Sequence, residues 1–211
     1  QLDGKIHVPF GVFSPLRGEY LDLIAQAPLA PNIQTAFDIG TGSGVIAAIL
    51  AKRGIPDIIA TDTNPKAITC ATANLERLSL NKAVNIQSID LFPESCADLI
   101  VCNPPWLPAK PTSAIETALY DPNHAMLTAF LNGVRKHLNP NGEAWLIISD
   151  LAEHLHLRDK DFLNQCFQTA SLNVVDILKT KPQHKKAIDE SDPLAFARNK
   201  ETTYLYRLKA I

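Results

Sequence analysis

No apolar stretch in this chain reaches the roughly 18–20 residues needed to cross a bilayer, and no signal-peptide pattern opens it. We therefore expect no membrane span. There is no excess of positive charge either: 20 Lys and Arg stand against 22 Asp and Glu, for a net charge of −2. That balance excludes a protein coated in basic residues for bulk nucleic-acid binding, while leaving room for a local basic patch. No Cys-x-x-Cys pair occurs. Cys70, Cys96, Cys102 and Cys166 are scattered, which suits reduced thiols in a cytoplasmic protein better than disulfides or zinc. His154 and His156 have no Cys or carboxylate partner at ligand spacing, so no metal site is expected. Internal repeats and low-complexity segments are absent too.

What is there is an ordinary globular composition, 46% hydrophobic and 20% charged over 211 residues, enough for one domain with a substantial core. The chain opens on Gln1 rather than Met, which leads us to expect an upstream segment that is trimmed or missing. Short β-branched or apolar runs alternate with amphipathic stretches, the pattern of a parallel sheet with helices on both faces. Strands are expected at 36–39, 58–61, 84–88, 97–102 and 144–149. Helices are expected at 17–27, 45–52, 65–78, 123–138 and 159–170, the third opened by Pro65 and the fourth stopped by Asn139-Pro140-Asn141-Gly142. Two further strand-like runs, 173–179 and 202–208, have only a polar, charged stretch between them, so an antiparallel hairpin at the sheet edge is expected. The irregular stretch 104–122 is too long for a simple connector, and such stretches inside a compact domain are usually functional.

The first strand runs into Asp38-Ile39-Gly40-Thr41-Gly42-Ser43-Gly44. Glycines at a strand-to-helix junction permit a tight turn and let a ligand approach the free N–H groups of the helix. Their G-x-G-x-G spacing departs from the G-x-G-x-x-G of dinucleotide binders. Asp38 precedes the turn, Asp62 ends the second strand and Asp90 follows the third. A carboxylate at the position of Asp62 is placed to accept two ribose hydroxyls side by side. Three acidic strand ends repel phosphate and favour a cationic, hydroxyl-rich ligand. S-adenosylmethionine, with its ribose diol, adenine amine, ammonium and sulfonium, fits both demands.

The fourth strand stops at Asn103-Pro104-Pro105-Trp106. Neither proline can donate to a sheet ladder, and both have φ fixed. An amide side chain, carbonyls without ladder partners and a large flat ring are therefore presented together, a set suited to a planar nitrogen. The plainer reading is a proline-stiffened turn with a packed Trp.

In this order and at these spacings, Asp38 to Gly44, Asp62, Asp90-Leu91-Phe92 and Asn103 to Trp106 resemble the class I S-adenosylmethionine-dependent methyltransferases. The closer resemblance is to the amino-methyltransferase branch with an Asn/Asp-Pro-Pro-aromatic signature, which includes release-factor glutamine methyltransferases and rRNA, tRNA and DNA amino-methyltransferases. The likeness covers about Gly11 to Ser149, and Val12-Phe13-Ser14-Pro15 resembles the segment that closes over the methionine end of the cofactor.

The resemblance implies an α/β, Rossmann-like sheet of seven strands, mostly parallel, with an antiparallel C-terminal hairpin and helices on both faces. Residues 1–30 would form an N-terminal segment and helix closing over the cofactor, and 31–211 the methyltransferase domain. By the same resemblance Asp38, Gly40, Thr41, Gly42 and Gly44 line the amino-acid portion and Asp62 holds the ribose. Asp90 reaches the adenine amine, with Leu91 or Phe92 against the ring. Phe13, Pro15, Asn64 and Asn103 complete the cofactor contacts.

The implied chemistry is methyl transfer to a glutamine amide of a translation-factor-like protein or to an exocyclic base amine of RNA or DNA. Asn103 and the Pro104 carbonyl would accept the two N–H groups, with Pro105 shaping the turn and Trp106 stacking on the acceptor. Release-factor enzymes usually carry Tyr where this chain has Trp106, and nucleic-acid relatives carry Phe or Tyr as a rule, so Trp106 leaves the acceptor open. Lys179, Lys181, His184, Lys185 and Lys186 form either a solvated loop or a phosphate-contacting patch. Tyr120, Asp121 and His124 either line the pocket or cap and pack. A dinucleotide-dependent oxidoreductase and a non-catalytic binding module on a methyltransferase scaffold are the rival readings.

Overall fold

The computed structural model describes residues 2, 4–13, 18–108, 120–182 and 195–211. In chain order the elements are α1 (Glu19–Gln26), β1 (Thr35–Ile39), α2 (Val45–Lys52), β2 (Asp57–Thr61), α3 (Pro65–Arg77), β3 (Val84–Gln87) and β4 (Ala97–Cys102). They are followed by α4 (Ala125–Val134), β5 (Leu138–Ser149), α5 (Leu151–His154), α6 (Phe162–Thr169), β6 (Leu172–Thr180), α7 (Ala195–Arg198) and β7 (Thr203–Ala210). The seven strands make one sheet in the order β3-β2-β1-β4-β5-β7-β6. All neighbouring pairs from β3 to β5 are parallel, and β7 runs antiparallel to both β5 and β6. This is the seven-stranded Rossmann-like architecture expected, with the final strand tucked inside β6 and not at the rim. Among the described residues no helix is long and apolar enough to cross a membrane.

Central strands of a parallel sheet are buried on both faces, so they read as unbroken apolar runs. Leu99, Ile100, Val101 and Cys102 of β4 are fully buried accordingly. Side chains alternate between two layers: Ala36, Leu99, Val101 and Trp145 join the layer of α1 and α2, whereas Phe37, Ile39, Ile100 and Leu146 join that of α4 and α6. Arg53, just past α2, donates its guanidinium to the Ile24 and Ala27 carbonyls at the end of α1 and lies 5.7 Å over the Trp145 ring. It thereby caps α1 and fixes that helix against α2.

Two expectations are corrected. The fourth helix ends at Val134, a 3₁₀ turn over Arg135–His137 follows, and Asn139 to Gly142 form a bulge inside β5. Ladder partners jump from Ala97↔Leu138 to Leu99↔Glu143. Asn139 stabilises the bulge by donating to Asp98 at 2.8 Å, and a Cβ at Gly142 would lie 3.0–3.1 Å from three carbonyl oxygens. The helix-stop signal was real, but the sheet continues on both sides of it. The connection from β6 to β7 also carries a short helix, α7, that periodicity over four residues cannot signal.

The chain leaves β1 outward to β2 and β3, and leaves β4 in the other direction to β5. The crevice outside the carboxyl ends of β1 and β4 is thus a topological switch point, where sheets of this kind bind ligands.

Candidate active site

By strand alternation Asp38 faces the same layer as Ala36, beneath the start of α2. It is fully buried, and its Oδ2 accepts from Thr41 Oγ1 at 2.6 Å and from the Ala47 N–H at 3.0 Å. Oδ1 has no partner. Burial pushes this carboxyl up to about 6, against the pull of the Thr41 and Ala47 hydrogen bonds. The loop that follows holds Gly40, Gly42 and Gly44 at φ 70°, 55° and 80°, a region in which any Cβ is strained. Gly44 has a second constraint: a Cβ there would sit 3.1 Å from Ala71 on α3. Among the described residues, a Cβ at Gly42 would meet only the Gly40 carbonyl oxygen, at 4.0 Å.

Asp62 ties this loop to the next strand. Its Oδ2 accepts from the Gly42 N–H at 2.9 Å and its Oδ1 from the Asn64 N–H at 2.8 Å. A carboxylate has about four acceptor sites, so each oxygen keeps a lone pair. Asn64 caps α3 through the Lys66 N–H and donates to the Gly11 carbonyl. Both ends of its amide therefore serve the fold. Thr61 Oγ1 donates to the Leu91 carbonyl at 2.7 Å, holding Leu91 at φ 56°. Asp90 is exposed beside it.

Leu91 and Phe92 both pack, partly buried, against the layer of α4 and α6. Phe92 stacks on His137, with centroids 4.5 Å apart, and on Phe130, filling the space over Gly133. Of the two residues expected against an adenine, Leu91 or Phe92, Phe92 already has these ring contacts.

Asn103 lies at the end of β4, half-buried, with its Oδ1 accepting from Trp106 Nε1 at 3.0 Å. The Trp106 ring meets Tyr20 of α1 edge-on, centroids 6.3 Å apart and planes at 80°. Tyr20 is buried, and its hydroxyl sits against the Asn103 side chain and near the Asp38 carboxylate. Burial first, then Asp38, holds that hydroxyl far above its usual pKa, so it stays neutral. Pro104 is buried and Pro105 half-buried; among the described residues no backbone N–H outside the helices and strands donates to the Pro104 carbonyl.

The remaining residues divide. Phe13 is half-buried at the end of an N-terminal segment whose Val12 and Val8 pack on Ala67 and Cys70 of α3. Pro15 lies outside the described residues, as do His184, Lys185 and Lys186. Asp121 caps α4, accepting from the Met126 and Leu127 N–H groups. His124 is buried against Phe162 at 4.6 Å, its ring nitrogens without partners, and burial lowers its pKa. For Asp121 the capping reading holds, and for His124 the packing reading. Tyr120 forms an isolated bridge with Leu107. Lys179 is exposed, and Lys181 donates to Thr202 Oγ1 and the Lys200 carbonyl.

Sequence reasoning missed Asn74. This buried α3 side chain accepts from the His7 N–H and donates to the carbonyls of His7 and of Ser43 in the glycine loop. Its only signal was a polar residue on the apolar face of α3. Tyr20 was missed as well, because nothing local links it to a motif 83 positions away.

The donor set suits a cationic, hydroxyl-bearing ligand: a buried carboxylate oxygen without a partner, a turn where a Gly42 Cβ would meet only the Gly40 carbonyl oxygen, and spare lone pairs on Asp62. Residues 5–176 match the family model described as the methyltransferase small domain. The tRNA1(Val) (adenine(37)-N6)-methyltransferase of Cytophaga hutchinsonii is 32% identical over 133 residues, 59% of this chain and 56% of that protein. The release factor glutamine methyltransferase of Cereibacter sphaeroides is 34% identical over 140 residues, 59% of this chain and 50% of its own length. The chain thus spans about half the length of these relatives. Among solved structures, a methyltransferase of Geobacter sulfurreducens in complex with S-adenosyl-L-homocysteine shares the fold, with a TM-score of 0.58 at 16% identity over 99% of this chain and 95% of that one. The dinucleotide-oxidoreductase reading gives way to this family match. The chain belongs to the methyltransferase small-domain family.

Proposed function

We propose that this chain is an N-methyltransferase that uses S-adenosylmethionine and acts on a planar nitrogen. One observation carries the reading: Asn103 and the Pro104 carbonyl stand at the end of β4, directly across the switch point from Asp38, the glycine loop and Asp62. Asp38, the loop glycines, Asp62, Asp90 and Leu91 would hold the cofactor, and Phe13 and Pro15 lie in the segment assigned to its methionine end. When bound, the cofactor supplies an electrophilic sulfonium methyl.

An amide or aryl-amine nitrogen is a poor nucleophile because its lone pair is delocalised. Asn103 Oδ1 and the Pro104 carbonyl oxygen accept its two N–H groups and draw it towards tetrahedral geometry. Pro105 has no N–H to compete for the same acceptors. The nitrogen becomes acidic only as the methyl is gained, so preorganised acceptors carry the work without a strong base.

Of the two acceptors named for the relatives, a tRNA adenine amine and a release-factor glutamine, the described surface favours a nucleobase. Lys179 and Lys181 stand where β6 ends, on the same carboxyl edge as Asn103. Positive charge there contacts phosphates and does nothing for a neutral glutamine loop. A base within a duplex is flipped out to reach such a site. Incubation with methyl-labelled S-adenosylmethionine and cell extract, followed by separate nuclease and protease digestion, tests both levels. Label released by nuclease as an N-methylated base is expected. Release by protease as methylglutamine overturns the nucleobase assignment, and label on oxygen or carbon, or none, overturns N-methyl transfer.

A further inference from the structure

The aromatic ring at position 106 is turned towards its own chain. Trp106 packs against both hydrophobic layers, meets Tyr20 edge-on at 6.3 Å and donates its indole N–H to Asn103 Oδ1 at 3.0 Å. Tyr20 comes from α1, whose C-terminal carbonyls are gripped by Arg53. The Asn103 amide is therefore held by Trp106, three positions away, which Tyr20 backs from α1, 83 positions away along the chain.

We propose that Trp106, backed by Tyr20, is a positioning residue for Asn103, fixing which end of that amide faces the acceptor nitrogen. The inference rests on the N-methyl-transfer reading above. An amide oxygen has two lone pairs, and its nitrogen has only donors. With the indole N–H on one lone pair, Oδ1 keeps the other for an acceptor N–H. A flipped amide would set Nδ2 against the indole N–H, donor facing donor, and lose the hydrogen bond between them. The flip is thereby suppressed before any acceptor arrives, which is preorganisation of the kind that raises the chemical step and not ground-state binding. A Phe at position 106 would supply a flat ring without the N–H and could not do this.

The first test needs neither cofactor nor acceptor. In the wild-type chain the Trp106 indole N–H, assigned by its loss in Trp106→Phe, should exchange slowly with solvent. In Asn103→Ala its exchange should quicken about tenfold or more, and unchanged exchange overturns the proposal. The second test is the kinetic split. Trp106→Phe should lower kcat about 10- to 100-fold with the acceptor KM within about threefold. A raised KM at constant kcat means stacking alone and overturns the proposal. Should Trp106→Phe fail to fold, the isosteric benzothienyl analogue of Trp at position 106, which replaces N–H with sulfur, makes the same measurement. If the wild-type chain labels no nitrogen at all, N-methyl transfer fails and the clamp with it, whereas quickened exchange with normal kcat in Trp106→Phe removes the clamp alone.

Discussion

The two ends of the crevice are built from different materials. At the proposed cofactor end, carboxylates hold mostly backbone: Asp38 takes the Ala47 N–H beside the Thr41 hydroxyl, and Asp62 takes the N–H groups of Gly42 and Asn64. At the acceptor end, side chains hold side chains: Trp106 donates to Asn103, and Tyr20 lies against both. Backbone N–H groups at a strand-helix turn are supplied by any sequence that makes the turn, so the cofactor end needs only glycines and a few acids. The acceptor end depends on which particular rings are nearby.

The comparison can be broken most forcefully at Asn103. Asn103→Ala should lower methyl incorporation by about 10²–10³-fold, the cost of removing one preorganised polar partner of a reacting group, read as label per unit time at saturating cofactor. On the other side, Asp62→Ala removes a charged acceptor and frees the glycine loop. S-adenosylmethionine affinity should fall about 10- to 100-fold by calorimetry. Asn74→Ala sharpens the contrast by acting on the frame alone. It leaves the His7 N–H and the His7 and Ser43 carbonyls without partners, and should cost about 1–3 kcal/mol in denaturant unfolding.

The smallest effect is on pH. The folded Asp38 carboxyl titrates at about 6 against 3.8 ordinarily. The folded chain therefore holds a proton that the unfolded chain gives up, and ligand-free stability declines as pH rises from about 4 through 6. A cationic ligand prefers the ionised form, so affinity should weaken about tenfold between pH 7 and 5. Asp38→Asn should flatten that slope, with the Thr41 and Ala47 bonds retained through its carbonyl oxygen; the same slope in that variant would refute the assignment.

How much was legible follows the same division. The glycine turn, Asp38, Asp62 and the Asn-Pro-Pro-Trp stop are local patterns, and each lands on the predicted edge of the predicted sheet. The strand positions were readable because residues 99–102 of β4 and 144–148 of β5 are unbroken apolar runs. The partners were not. Tyr20 and Asn74 act across the fold, and no spacing rule connects either to Asn103 or to the glycine loop. The bulge at 139–142 was misplaced because Asn-Pro-Asn-Gly carries the same signal for a helix stop and for an interruption within a strand.

The separability of the two ends is tested most directly by one titration, S-adenosylmethionine into Asn103→Ala. An affinity within about threefold of wild type, in a protein that no longer methylates, is the predicted result. A loss of about a hundredfold in affinity would contradict the account, because Asn103 would then belong to the cofactor end and the acceptor edge would be something else.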